Sequence, residues 1–249
     1  GSSFRVTDTK KENNLIVHFC KDLPVPPNGT FMAQVNSRRR ADTERNHTAT
    51  HLVHEALREV LGTHVEQKGS LVKADALRFD FSHFSKVNEE ELHQIEALVN
   101  QRIQSNMALG EHRDLPLDEA KKRGAMMLFG EKYGERVRMI EFGESRELCG
   151  GTHAPSTGHL GLFRITQETA VASGIRRIEA STGMMAVNIA RSEQQTLQSV
   201  KDALKSPPDL AKAIEDLLSK QATLLKELDG HRHAEAQQFK TQIIQGLTS

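Results

Sequence analysis

With 249 residues, 33 Lys and Arg and 33 Asp and Glu, the chain is long enough for a sizeable core and has no formal net charge. That excludes a strong global pull on nucleic acid but leaves room for local basic runs, Arg38-Arg39-Arg40 and Arg176-Arg177, which in most proteins are solvated faces. Its two cysteines, Cys20 and Cys149, read as reduced, so a cytoplasmic setting is expected; no apolar run nears the roughly 18 residues of a membrane helix, no signal peptide is found, and Gly1-Ser2 reads as a cloning scar.

Residues 4–40 alternate short apolar runs with turn residues. Leu15–Cys20 reads as a strand, Pro24, Pro26, Pro27, Asn28 and Gly29 as a turn, and Phe31–Val35 as another strand, so a small β-subdomain is expected over 1–40. Residues 43–61 carry Ala49, Leu52, Val53, Ala56 and Val60 at helical spacing, with Asp42 placed to cap the start and Gly62 just past the end. Leu77, Phe79 and Phe81 alternate with Arg78, Asp80 and Ser82, as in a strand with one buried face. Asn88 with Glu91 resembles a capping box, and Leu92, Ile95, Leu98, Val99 and Ile103 make a second amphipathic helix. A short helix is predicted near 117–123, and strands at Arg136–Phe142, Leu160–Gln167 and Gly174–Ser181.

After Gly183 the β-alternation stops. One helix is predicted to about Lys205, broken at Ser206-Pro207-Pro208. Leu210, Ile214, Leu217, Gln221, Leu224 and Leu228 then form a heptad seam, and a third helical stretch covers 231–247. The fold class is α+β: a mixed domain of sheet and packed helices at 41–185, preceded by the β-subdomain and followed at 186–249 by a coiled-coil-like arm suited to homo-oligomerisation.

Twelve histidines invite a search for ligand spacing. His47 and His51 lie four apart, on one face of the predicted helix, where two imidazoles can grip one ion. His54 and Arg58 share that stripe, and His54 could itself be a ligand. The apolar stripe lies on the opposite side, so these histidines face either solvent or a second, polar layer. Cys149 and His153 form another half-site, and Gly150-Gly151 lets the backbone turn sharply between them. Three His and one Cys complete a tetrahedral set of the kind zinc prefers. Four protein ligands suit a closed structural site; a catalytic ion keeps a position for water, and the spacing leaves both roles open.

Three segments then stand out: HTATHLVHEALREVLGTHVEQKGSLV (His47–Val72), SRELCGGTH (Ser145–His153) and GIRRIEA (Gly174–Ala180). In this order they resemble the editing domain of alanyl-tRNA synthetases, over roughly residues 36–185. The strands before it look like the small β-barrel that precedes the editing core, and the heptad region resembles the family's helical oligomerisation segment. The class II aminoacylation motifs are not found. The resemblance implies a hydrolase acting on tRNA(Ala) misacylated with serine or glycine, with Zn2+ on His47, His51, Cys149 and His153. It also implies Gln67 and Arg176 as pocket residues and Thr50 as a screen for the amino-acid side chain. Each has a plainer reading: Gln67 as an exposed strand residue, Thr50 as a helix-surface residue, Arg176 as a salt-bridge partner. No Glu follows His47, so the general base of HExxH proteases is not offered, and Glu44 and Glu55 are the nearest carboxylates. The competing functions are a non-catalytic zinc-stabilised tRNA-binding and oligomerisation module, a threonyl-type editing domain, and a free-standing editing hydrolase.

Overall fold

The computed structural model describes residues 3–13, 15–23, 28–127 and 133–247, with side chains as far as Ile244. The chain divides into two compact units, Gly1–Arg40 and Ala41–Ser249.

In the first unit, β1 (Val6–Glu12) and β2 (Leu15–Cys20) form an antiparallel hairpin. Phe31–Val35 is not a strand, and Phe31, Met32 and Val35 are exposed. An extended run becomes a strand only when a neighbour accepts its backbone hydrogen bonds, and none of the described residues pairs with it. The only sheet described in this unit has two strands, which cannot close into a barrel. Pro24–Pro27 of the expected turn lie outside the described residues.

Helix α1 (Ser37–Leu61) begins earlier than its apolar pattern suggests. Asn36, not Asp42, caps it: the Asn36 carbonyl oxygen of the side chain accepts the Arg39 amide at 2.9 Å. Asp42 lies inside the helix, paired with Arg45. Gly62, at φ +112°, ends it in a conformation that other residues rarely adopt.

Next come β3 (Gln67–Val72) and β4 (Leu77–Ser82); the residues of β4 alternate buried and half-buried as predicted. Helix α2 (Glu89–Gln104) opens on the Asn88–Glu91 capping box. Strand β5 (Gly110–Pro116), helix α3 (Leu117–Lys122), β6 (Arg136–Phe142) and β7 (Ser145–Leu148) follow. Leu160, expected in a strand, instead closes a 3₁₀ turn over Thr157–Leu160; Gly161 then takes φ +68°, and the strand β8 is Phe163–Ala172. Strand β9 (Ile175–Thr182) leads into α4 (Gly183–Ala203).

The arm ends in one helix, α5 (Leu210–Leu247), rather than two. Gly230 stays helical, because a single glycine costs a helix only about 1 kcal/mol. Ile214, Leu217, Leu224 and Leu228 of the heptad seam are exposed.

Two antiparallel sheets, β3-β4-β9-β8 and β5-β6-β7, serve the second unit. The main core joins Ala49, Leu52, Val53, Ala56 and Leu57 of α1 to Phe79 and Phe81 of β4, Ile95 and Val99 of α2, Ile178 of β9 and Phe142 of β6. Burying each large apolar side chain contributes about 2 kcal/mol. Among the described residues, no helix is long and apolar enough to cross a membrane.

Asn46 fixes α1 at the level of the site. Its amide nitrogen donates to the carbonyls of Lys73 at 2.9 Å and Ala74 at 3.2 Å, and its side-chain oxygen accepts the Thr182 hydroxyl at 2.7 Å. Asn46→Ala strands these buried partners, so a loss of about 3 kcal/mol is expected in a urea melt. A change within about 0.5 kcal/mol, the range of ordinary surface substitutions, would show that Asn46 does not hold the helix.

Candidate metal centre

Helix α1 is buried nearly all round between Asn46 and Leu57. Its apolar side enters the main core, and its histidines enter a polar layer formed with β7 and the segment after it. Of the two directions open to the His stripe, the inner one is realised: His51 is 3% exposed and His54 4%.

One ligand atom from each of His47, His51, Cys149 and His153 lies within 4.8 Å of every other. Cys149 Sγ is 3.4 Å from His47 Nε2 and 3.3 Å from His153 Nε2. Ligand atoms on a tetrahedron around zinc lie about 3.5 Å apart, so the set fits such an ion. His51 and His153 are buried, while His47 and Cys149 are half-buried.

The outer bonds orient these rings. The Thr152 carbonyl can only accept, so His47 Nδ1–H donates to it at 3.1 Å and Nε2 is left bare toward the sulfur. His153 Nδ1 shares a 3.1 Å hydrogen bond with Thr48 Oγ1, which also accepts the Ala154 amide at 3.0 Å. His51 Nδ1 is buried without a hydrogen-bond partner, and its Nε2 is 3.5 Å from Glu147 Oε2. An orphaned buried nitrogen within such a cluster is the state expected of a ligand atom.

The Cys149–His153 segment is held by Arg138 of β6, a residue to which no sequence motif pointed. Its Nη1 donates to the carbonyls of Cys149 and Gly151, both at 2.7 Å, and its Nε donates to Glu111 at 2.6 Å. The Gly151 amide donates to Cys149 Sγ at 3.4 Å. The chain bends at Gly151, as expected of the pair, although neither Gly150 nor Gly151 has positive φ. Gly151 is needed for space: a methyl there would overlap the His47 imidazole, whereas one at Gly150 meets nothing.

Burial is the main cause that holds these imidazoles neutral. It lowers His47, with Arg138 adding to the effect, and drives His51 well below its usual value, with the neighbouring imidazoles assisting. His153 falls to about 3, through burial first, then His47 and Arg138. Neutral imidazole is the form that binds a metal.

His54 is not one of the four. Its Nδ1 bonds Glu147 Oε1 at 3.0 Å, so Glu147 touches both His51 and His54. Glu147, within a quoted motif but given no role by it, is the carboxylate beside the centre. Glu55 instead pairs with Arg102 at 3.2 Å. A cleft of about 180 Å³ is lined by His54, Arg58, Val65, Gln67, Met126 and Glu147, among others.

Gln67, at the head of β3, thus opens onto the same cleft as Glu147; its amide donates to Ser70 Oγ at 3.1 Å. Strand register sets Gln67 opposite Phe81, and Phe81 opposite Arg176, so all three share one row and one sheet face. Arg176 makes a two-pronged ion pair with Glu168, its nitrogens 2.5 Å from the carboxylate oxygens. Thr50 is buried, and its hydroxyl donates to the Asn46 carbonyl at 2.9 Å, within its own helix. Neither Arg176 nor Thr50 lines the cleft.

Residues 137–179, which include Cys149 and His153, match the family described as the threonyl and alanyl tRNA synthetase second additional domain. The wider chain is more specific. It is 50% identical to the alanine–tRNA ligase of Porphyromonas gingivalis over 98% of its own length and 28% of that protein's. It is 54% identical to those of Flavobacterium psychrophilum and Cytophaga hutchinsonii, over 90% and 92% of this chain and 25% and 26% of theirs. Over nearly all of its length the chain is thus similar to one stretch of alanine–tRNA ligases, and it spans little more than a quarter of the length of these relatives.

Two outcomes follow from the geometry. Gly151→Ala is expected to weaken zinc binding at least about tenfold in a competitive chelator titration, the lower end of the loss when groups that support metal ligands are changed, while Gly150→Ala leaves it unchanged; equal affinities would remove the close-approach argument. The second concerns pH. His153 is lowered from 6.5 to about 3 on folding, so its contribution is fully present above pH 6.5 and is lost as pH falls toward about 3. The melting temperature of metal-stripped protein is expected to drop across that window, and less steeply in His153→Ala; parallel profiles would contradict it.

Proposed function

We propose that this chain is the proofreading portion of an alanyl-tRNA synthetase, hydrolysing the ester of tRNA(Ala) misacylated with serine or glycine. The observation that carries the reading is the convergence of His47, His51, Cys149 and His153 on one point, beside a cleft that Gln67 and Glu147 line. The likeness to alanine–tRNA ligases supports tRNA as the partner, and the resemblance of the motifs suggests the misacylated ester. Discrimination at a first site is weak when substrates differ by one small group, and a second, hydrolytic site supplies what is missing.

The donor set is that of zinc, and a zinc ion held there would supply fixed positive charge near an already activated ester. The chain's own groups do the rest. Arg138 keeps the Cys149–Gly151 backbone in place, and Thr48 and the Thr152 carbonyl orient the rings. The Gln67 amide is placed to hydrogen-bond water or the developing oxyanion in the cleft. Arg176, through its ion pair with Glu168, braces the sheet row that carries Gln67. On this reading residues 1–40 are an accessory β-unit, 41–185 the editing domain, and 186–249 an arm that associates with a second copy.

The test is deacylation of Ser-tRNA(Ala), with Ala-tRNA(Ala) and misacylated tRNA(Thr) alongside, before and after chelation. Hydrolysis of the seryl ester alone is expected, with a loss of at least about a hundredfold in a Cys149→Ala, His153→Ala double variant, the scale set by removing a group that stabilises the transition state. Full activity in that variant would remove the centre from the reaction. Absence of cleavage together with unfolding on chelation would establish a structural zinc module instead.

A further inference from the structure

The four-stranded sheet ends beside the cleft, and that end carries the most exposed aromatic side chain among the described residues. Phe84 is 91% exposed, whereas Phe79, Phe81, Phe142 and Phe163 are fully buried. Lone exposed apolar side chains are common; this one is distinguished by where it is held. It lies two residues past β4, on a backbone that is tied down. The Ser82 amide donates to the Glu66 carbonyl at 3.0 Å, and the His83 amide donates to the Gly174 carbonyl at 3.0 Å. The Ser82 hydroxyl donates to the His64 carbonyl at 2.9 Å, and Val87 is buried. Gly174 takes φ +69°, and a methyl on it would come within 3.1 Å of the Phe84 ring, so the ring lies against the β8–β9 turn.

Gln67 opens β3 opposite Phe81, so the cleft and Phe84 share one end of the sheet. Phe84 is three residues past Phe81, a span of at most about 11 Å. Two imidazoles stand at the same end: exposed His64 and half-buried His83, with His64 Nε2 3.0 Å from His83 Nδ1 and the rings stacked. The cleft holds about 180 Å³, less than the roughly 300 Å³ at which pockets for drug-sized ligands begin. It is sized for the aminoacyl end of a tRNA and leaves the terminal base outside. Charge there is mixed, not basic: Lys86, Glu89 and Glu90 are exposed, and Glu91 acts on His83. That balance does not favour a phosphate backbone, whereas the face of an aromatic ring takes any base.

We propose that Phe84 is the platform on which the 3′-terminal base of the tRNA stacks while the ester on its ribose enters the cleft. The inference rests on the editing function proposed above. Unpaired RNA bases are held chiefly by stacking on aromatic side chains, a contact that does not depend on sequence. Stacking made equally in the bound and transition states lowers KM and leaves kcat alone. Phe84 therefore gathers the substrate and takes no part in the chemistry, and it does not read the amino acid.

The experiment compares wild type, Phe84→Trp and Phe84→Ala on two RNAs with the sequence of the tRNA(Ala) acceptor stem. One has a complete 3′ end; in the other the last nucleotide is abasic, so the sugar and phosphates remain. Wild-type protein is expected to bind the complete RNA about tenfold more tightly than the abasic one. Phe84→Ala is expected to bind both equally, at the abasic level, and Phe84→Trp to keep the preference. Stacking displaces no counterions, so the wild-type preference is expected to be the same at low and moderate salt. With seryl-tRNA(Ala) as substrate, Phe84→Ala is expected to raise KM about tenfold, with the change confined to KM. Phe84 buries almost none of its surface, so the melting temperature is expected to stay as it is.

Equal wild-type affinity for the two RNAs overturns the proposal without recourse to any variant. A preference for the complete end that survives in Phe84→Ala also overturns it, placing the base elsewhere. If RNA binding and seryl-tRNA(Ala) hydrolysis are both intact in Phe84→Ala, the editing function stands and the ring is assigned to a protein contact instead. Wild-type protein that neither binds these RNAs nor hydrolyses seryl-tRNA(Ala) defeats the editing function itself.

Discussion

One helix must bury two chemically opposite faces, and the site depends on how it does so. Between Asn46 and Leu57, α1 puts Leu52, Val53 and Ala56 into an apolar core and His47, His51 and His54 into a polar layer. Buried imidazoles are tolerable only when their nitrogens find partners. Thr152, Glu147 and the sulfur of Cys149 supply them, while one nitrogen each of His51 and His54 has no hydrogen-bond partner among the described residues.

The supports come from places that the site residues do not suggest. Asn46, one position before His47, ties the helix to the turn after β3 and to the end of β9. Arg138, from a different sheet, holds the carbonyls on either side of Gly150. The same guanidinium places positive charge near the imidazoles and so helps burial to keep them neutral. Geometry and protonation are thus set by a shared residue.

Much of this was legible in the sequence. The alternation at Leu77–Ser82, the Asn88–Glu91 box and the stop at Gly62 each have a local cause and are found as read. The ligand spacing was legible too, since i and i+4 on a helix converge whatever surrounds them. The misreadings fall where the deciding partner is remote or absent. Phe31–Val35 has strand composition but no neighbouring strand among the described residues. Asp42 has cap chemistry, but Asn36 starts the helix earlier. Gly230 is a poor helix former yet sits in an unbroken helix. Glu147 and Arg138 were silent because their partners lie in other elements. The glycine pair was noticed for the bend it makes, while the proximity of His47, which also demands Gly151, was not legible.

His47 and Cys149 are 102 positions apart in the chain. An ion gripped by both half-sites would therefore act as a cross-link across about half of the second unit. Closing a loop of about 100 residues removes roughly 4 to 5 kcal/mol of conformational freedom from an unfolded chain in the simplest chain-entropy treatment, as a disulfide would. A thiolate and three imidazoles make that link reversible, and dependent on the supply of metal rather than on oxidant. In this fragment the same four side chains can thus set both the chemistry of a pocket and the number of ways the chain can come apart.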